Sequence, residues 1–232
     1  QNIFIGDNAG GGSWTTAASN SNVAIGATAM SAALNGALGN TTVGHDGLKA
    51  LTSGDNNVAI GRVAGTSVTS GYHNSLLGAY AGDAITTGYD NTALGYAALS
   101  AEDTGYRNVA IGNEALKVLN YDGAGYNVAV GHRAGYALTT GTVNTFLGAF
   151  AGGATDDGIR NVAIGYAAMD TGNAGNDNIA IGYGALQDTT ADGNIAIGSY
   201  AMTQHTTGAR NIAIGQSAMY NTDAGSTSLG SE

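Results

Sequence analysis

The 232-residue sequence predicts an all-β fold, a parallel β-roll or solenoid of about 14 coils with a repeat of about 17 residues. Three observations predict it. A five-residue phrase recurs fourteen times: a polar residue, three mostly apolar ones, then glycine, as in Asn22–Gly26, Asn57–Gly61, Asn108–Gly112, Asn161–Gly165 and Asn211–Gly215. The glycines that end it lie 15 to 20 residues apart, and 17 at most steps. Proline is absent beside 39 glycines, which suits a chain whose backbone N–H groups are needed in a ladder. A fixed period over the whole length marks a stack of like units. It makes 1–232 a single repeat array, with 1–21 an irregular N-terminal coil carrying an insertion and 22–230 the regular coils.

The phrase reads as a short strand. Three places after the polar residue every copy has Ile, Leu or Val, a column that includes Ile25, Ile60, Leu77, Leu94, Ile111, Val130, Leu147, Ile164, Ile181, Ile197 and Ile214. We take this column as the structural core of the repeat. Two places after it stands alanine in nine copies, and one place after it Val, Ile, Thr or Ser. A β-branched run bounded by glycine favours a strand, and side chains alternate faces along it. Val58 and Ile60 then face one way and Ala59 the other, so both faces are apolar. The roll interior shelters only one, and the other calls for a second chain.

Seven places after the polar residue lies a column of alanine, Ala64, Ala81, Ala98, Ala115 and their equivalents, with Gly47 the one exception. A small residue in each coil implies close backbone approach, and we read a thin second strand there. Glycine stands three places before the Asn in eight copies (Gly54, Gly71, Gly88, Gly105, Gly141, Gly158, Gly175 and Gly208), among Thr, Ser, Asp and Asn. That is turn chemistry, with glycine free to take positive φ. The Asn residues that follow, among them Asn57, Asn74, Asn91, Asn108, Asn161, Asn178 and Asn211, can stack coil on coil as an amide ladder. One aliphatic strand per period favours a two-sided roll, and 17 residues are too few for an α/β solenoid, which needs at least ~20. Glu114–Leu119 has helix-forming composition, but the period keeps it in the roll. Fourteen coils at about 4.8 Å each make a rod of roughly 65 Å.

Two stretches break the period. Residues 10–20 hold the sole tryptophan, Trp14, and residues 120–126 widen one turn by two residues and carry Tyr121 and Tyr126. Insertions in solenoids bulge from one face and often meet partners, so these three aromatic residues are the candidates for partner contact. Other tyrosines recur before the phrase (Tyr72, Tyr89, Tyr106) and after it (Tyr80, Tyr96, Tyr166, Tyr183, Tyr200). Cross-coil packing of these rings would stiffen the array.

The net charge of −10, from 17 acidic against 7 basic residues, argues against nucleic acid and anionic membrane as partners. No apolar run approaches the 18 residues of a membrane span. No cysteine is present, and the four histidines, His45, His73, His132 and His205, occupy different offsets, so neither a metal site nor a cofactor is expected. No nucleophile motif is present, and we expect no enzyme. The Asp-bearing turns lack the spacing of calcium β-rolls. The start at Gln1 reads as an excised or processed piece of something longer.

The Asn-x-Ala-Ile-Gly-x-x-Ala phrase resembles the head repeats of YadA-like trimeric autotransporter adhesins and the similar repeats of bacteriophage tail fibres. The resemblance spans essentially 2–230. It implies a left-handed parallel β-roll, three chains packed about a three-fold axis, and strands such as Val58–Ile60 lining the trimer-facing layer. The expected function is structural and adhesive: a segment of a homotrimeric extracellular fibre, a phage tail fibre that presents or contributes to binding of a host cell-surface protein or glycan. A bacterial adhesin head on the cell surface is the alternative. A monomeric ice- or glycan-binding solenoid is a third reading, suggested by a threonine column five places before the Asn (Thr52, Thr69, Thr86, Thr139, Thr189, Thr206).

Overall fold

Strands among the described residues are only three residues long, because each run of extended backbone is closed by a glycine and opened by an asparagine, buried in all but the first. The structure, a computed structural model, describes residues 1–12, 18–204 and 207–221. The chain is an all-β parallel β-solenoid of about 12 turns with a period of about 17 residues. The fourteenth phrase, which ends at Gly230, lies outside the described residues, as do Trp14, His205 and Thr206.

The chain divides into two compact units, Gln1–Glu114 with Asn120–Ala124, and Ala115–Leu119 with Gly125–Glu232. Their border falls at the wide turn that breaks the period. The first unit holds β1 (Ile3–Ile5), β2 (Val23–Ile25), β3 (Thr41–Val43), β4 (Val58–Ile60), β5 (Ser75–Leu77), β6 (Thr92–Leu94) and β7 (Val109–Ile111). The second holds β8 (Val128–Val130), β9 (Thr145–Leu147), β10 (Val162–Ile164), β11 (Ile179–Ile181), β12 (Ile195–Ile197) and β13 (Ile212–Ile214). Within each unit consecutive strands pair in parallel with like positions aligned, Val58 on Ser75 and Ile60 on Leu77 in the first, Val162 on Ile179 and Ile164 on Ile181 in the second.

The expected second strand is not there. Among the described residues the alanine column lies in stacked turns, and Glu114–Leu119 is likewise turn, not helix. Close backbone approach is real all the same: Gly65 N–H donates to the Ala81 carbonyl at 3.0 Å and Gly82 N–H to that of Ala98 at 3.0 Å. Extended backbone fails here because the residues on both sides of the alanine are left-handed, as at Val63 (φ 64) and Gly65 (φ 57), or Ala97 (φ 50) and Leu99 (φ 53).

The glycine reading also needs correction. The turn glycines such as Gly88 do not have positive φ; the residue just before the Asn does, as at His73 (φ 55), Asp90 (φ 55) and Val143 (φ 61). Gly88 is required by proximity instead, since a Cβ on it would stand 2.5 Å from the Gly105 carbonyl oxygen. The phrase-ending glycines meet both demands: Gly61 has φ +139, and its Cβ would stand 2.5 Å from the Gly78 carbonyl.

The interior is filled from three columns: the middle strand residue, the residue after the column alanine, and a residue about three places further on, aliphatic at Leu51, Val68, Ile85, Leu119 and Leu138. The first two exchange volume. Leu or Met follows the column alanine in most coils whose strand carries alanine, as in Ala24 with Met30, Ala93 with Leu99 and Ala163 with Met169, all fully buried. The exceptions, Ala59 with Gly65 and Ala129 with Gly135, precede the coils of Leu76 and Phe146, whose side chains fill that space. Where the strand carries Leu76 or Phe146, the facing positions are glycine. A Cβ on Gly65 or Gly82 would come 2.7 Å from a Leu76 methyl, and one on Gly135 2.8 Å from the Phe146 ring. Close packing permits only one large side chain at that place.

Candidate interaction face

Period-two alternation turns each strand's alanine inward and its aliphatic residues outward. Ala24, Ala59, Ala110, Ala163, Ala180 and Ala213 are fully buried. The aliphatic column read as the repeat core does not lie in the coil interior. Ile25, Ile60, Leu94, Leu147, Ile181 and Ile214 are exposed, with Ile60 at 41%, Leu94 at 46% and Leu147 at 47%. Leu77, Ile111, Val130, Ile164 and Ile197 are half-buried. The physical reason is width: the strand face inside the coil meets a turn at close range, so the small residue goes in and the bulky one out.

This outer rib is continued across the phrase-ending glycine by aromatic rings. In the second unit His132, Phe150, Tyr166, Tyr183, Tyr200 and Tyr220 form one ladder, one ring per coil, with centroids 5.0, 5.7, 5.3, 5.1 and 6.3 Å apart. Tyr166, Tyr183, Tyr200 and Tyr220 are exposed. In the first unit Tyr80 meets Tyr96 edge-on at 5.8 Å. In the second unit the exposed aliphatic residues and the exposed rings recur coil after coil, and repeated exposed apolar side chains of this kind mark an interaction site.

The second tyrosine column behaves differently. Tyr72, Tyr89 and Tyr106 stack face to face, at 4.6 and 4.3 Å, and Arg107 lies 5.3 Å from the Tyr106 centroid. Their ring faces are spent on one another, so they offer edges and hydroxyls outward. In the adjoining column Asp90 lies 3.3 Å from His73 Nδ1 and 3.6 Å from Arg107 Nε. Arg160 grips Asp177 through Nε at 2.6 Å and Nη2 at 2.8 Å, and that grip holds the Asp177 carboxyl below its ordinary range.

Behind the strip runs the asparagine ladder. Asn57, Asn74, Asn91 and Asn108 in the first unit, and Asn161, Asn178 and Asn211 in the second, are buried. Within each unit an Oδ1 accepts the next coil's Asn backbone N–H: Asn74 N–H to Asn57 at 3.1 Å and Asn91 N–H to Asn74 at 3.1 Å in the first, Asn178 N–H to Asn161 at 3.0 Å in the second. Each Nδ2 also reaches a turn carbonyl, as from Asn74 to Gly88 at 2.9 Å. The ladder satisfies groups that burial would otherwise orphan, and it sets the strand register.

Of the aromatic residues picked for partner contact, Tyr121 and Tyr126 are exposed at the wide turn, and Trp14 lies outside the described residues. Sequence reading passed over Glu102, a fully buried carboxyl in a column that holds Leu51, Val68 and Ile85 elsewhere in the first unit and the buried Thr155 and Thr189 in the second. The signal was available: an acid in an aliphatic column, one coil before the insertion.

Among the described residues no three His, Cys, Asp or Glu side chains are grouped to hold a metal ion, and no helix is long and apolar enough to cross a membrane. No family model matches the chain, and no curated protein or solved structure matches it either.

Proposed function

We propose that the chain is a segment of a homotrimeric extracellular fibre, a phage tail fibre, in which three left-handed rolls pack through the outward faces of their strands. One observation carries this reading: an aliphatic rib, repeated at every coil, that a single chain leaves exposed. Covering a half-exposed Ile or Leu contributes about 1 kcal/mol, and the rib offers one such residue per coil. A partner must match its rise step for step to cover it all. A second copy of this chain has that rise by construction, whereas a globular partner would meet only a few coils.

In this reading the chain works by presentation and rigidity, not by catalysis. Its ladders hold a host-binding surface away from the particle, and three copies bring multivalency to weak contacts with a cell-surface protein or glycan. A bacterial adhesin head would use the same packing toward another partner. The monomeric ice-binding reading loses support from the threonine column. Thr52, Thr69 and Thr86 already donate their hydroxyls to the next coil's carbonyls, at 3.0, 3.2 and 3.1 Å.

The test is mass in solution by light scattering. The expected value is three times the 22.9 kDa chain, falling to one chain for the double variant Ile60→Asp/Leu94→Asp with its β circular dichroism retained. A wild-type chain that stays monomeric and soluble at micromolar concentration overturns the proposal.

A further inference from the structure

Three places beyond the volume-exchanging position, the interior column runs Leu51, Val68 and Ile85 in the first unit, with Leu34 four places beyond Met30, each buried. Glu102 occupies this place in its own coil and is equally buried. A carboxylate in an apolar column is costly unless paired. Among the described residues no cation pairs with it. The nearest charge is Asp103, which opposes ionisation, while Asp122 in the wide turn accepts the Thr104 hydroxyl at 2.6 Å. The carboxyl has backbone donors instead: Gly105 N–H to Oε1 at 2.8 Å and Tyr121 N–H to Oε2 at 3.5 Å, with the Asp103 N–H also bonded to it.

Regular coils show what this arrangement replaces. In the three preceding coils the glycine three places before the Asn donates to the following coil's backbone, Gly54 to Thr69 at 3.3 Å, Gly71 to Thr86 at 3.3 Å and Gly88 to Asp103 at 3.4 Å. For Gly105 the following coil is the one widened by 120–126. Its N–H turns to Glu102, and the same carboxyl reaches across to Tyr121 in the insertion.

We propose that Glu102 is a proton-operated latch on the wide turn 120–124: protonated, it rests in the apolar column and the turn stays closed; ionised, it drives the turn open toward water. Burial raises the carboxyl from an ordinary 4.5 to about 7; the Gly105, Tyr121 and Asp103 N–H bonds pull it down, and the Asp103 charge pushes it up. The closed form therefore binds the proton more tightly than the open one. Closure is strongest below the ordinary carboxyl value, weakens as pH rises through the window between 4.5 and about 7, and carries the full cost of the buried charge above it. This dependence is opposite to that of a salt-bridged carboxylate.

Hydrogen–deuterium exchange with mass spectrometry on the full chain tests the latch, with peptides covering 103–107 and 118–126 and a peptide around Gly88 as internal reference. After correction for intrinsic exchange, the opening constant of the two latch peptides rises on the order of 100-fold between pH 5 and pH 8, while the reference stays level. Glu102→Gln keeps the acceptor and removes the charge, so its latch peptides stay level too. A level wild-type profile, or an equal rise in Glu102→Gln, overturns the proposal. So does a Glu102 carboxyl carbon that titrates with its midpoint near the ordinary glutamate value.

Discussion

Each coil has two sides that bring backbone equally close yet are built under different rules. The strand side is set by identity: Asn before the strand and glycine after it are each held by specific hydrogen bonds or by contact with the same residue one coil on. The turn side is set by volume. Its interior position is glycine, leucine or methionine according to what the facing strand residue has left, and its backbone takes left-handed angles on side chains as different as Val63, Tyr80, Arg133 and Phe150. Identity is needed where polar groups are buried; only shape is needed where apolar ones are.

The strand side should break harder. Asn74→Ala leaves the Gly88 carbonyl and the Asn91 N–H, now held at 2.9 and 3.1 Å, without partners in a buried ladder. Each such orphan costs about 1–3 kcal/mol, so the variant loses about 4 kcal/mol, read as a drop in the chemical-denaturation midpoint. A loss below about 1 kcal/mol would mean that the parallel strand pairs hold the register without the amides.

The volume exchange between the strand and turn sides should break less and be open to rescue. Leu76→Ala empties the space between Gly65 and Gly82 and costs about 3 kcal/mol. Gly82→Leu alone overpacks, since a Cβ there comes within 2.7 Å of Leu76 and 2.8 Å of Ile85. Combined, the two changes reproduce the Ala93–Leu99 arrangement of the next coil, and the double variant recovers at least half the loss. Purely additive losses in that double-mutant cycle would refute the volume exchange.

The comparison also explains what the sequence could say. The period, the parallel stack and the amide ladder were legible because they rest on identity: Asn57, Asn74 and Asn91 recur at one place and have one stacking partner. The two apolar strand faces were legible from alternation. Which face is interior was not, because hydropathy favours burying Ile60 over Ala59, and only the narrow gap to the turn reverses that order. The second strand was misread for a related reason. The column alanines do report close approach, but the left-handed angles beside them fall on residues such as Val63 and Leu99 that ordinarily avoid them. Glu102 escaped because its column was never followed as a column.

Those left-handed residues supply the smallest and most local check. Val63 sits at φ 64 and donates its N–H to the His45 carbonyl at 2.8 Å. A β-branched side chain in this region is strained by roughly 1–2 kcal/mol. The equivalent place in the first coil is Asn8, with φ 53, and asparagine tolerates that geometry. Val63→Asn should therefore raise stability by about 0.5–1 kcal/mol, the half-buried valine surface offsetting part of the gain, with a matching rise in melting temperature. Asp46→Val, the reverse change at the same place in a neighbouring coil, should lower it by at least as much, since it also removes the Thr28 hydroxyl's bond and the Lys49 ion pair. If both variants shifted stability in the same direction, backbone angle would not govern the turn side, and its side chains would have to be explained by their contacts alone.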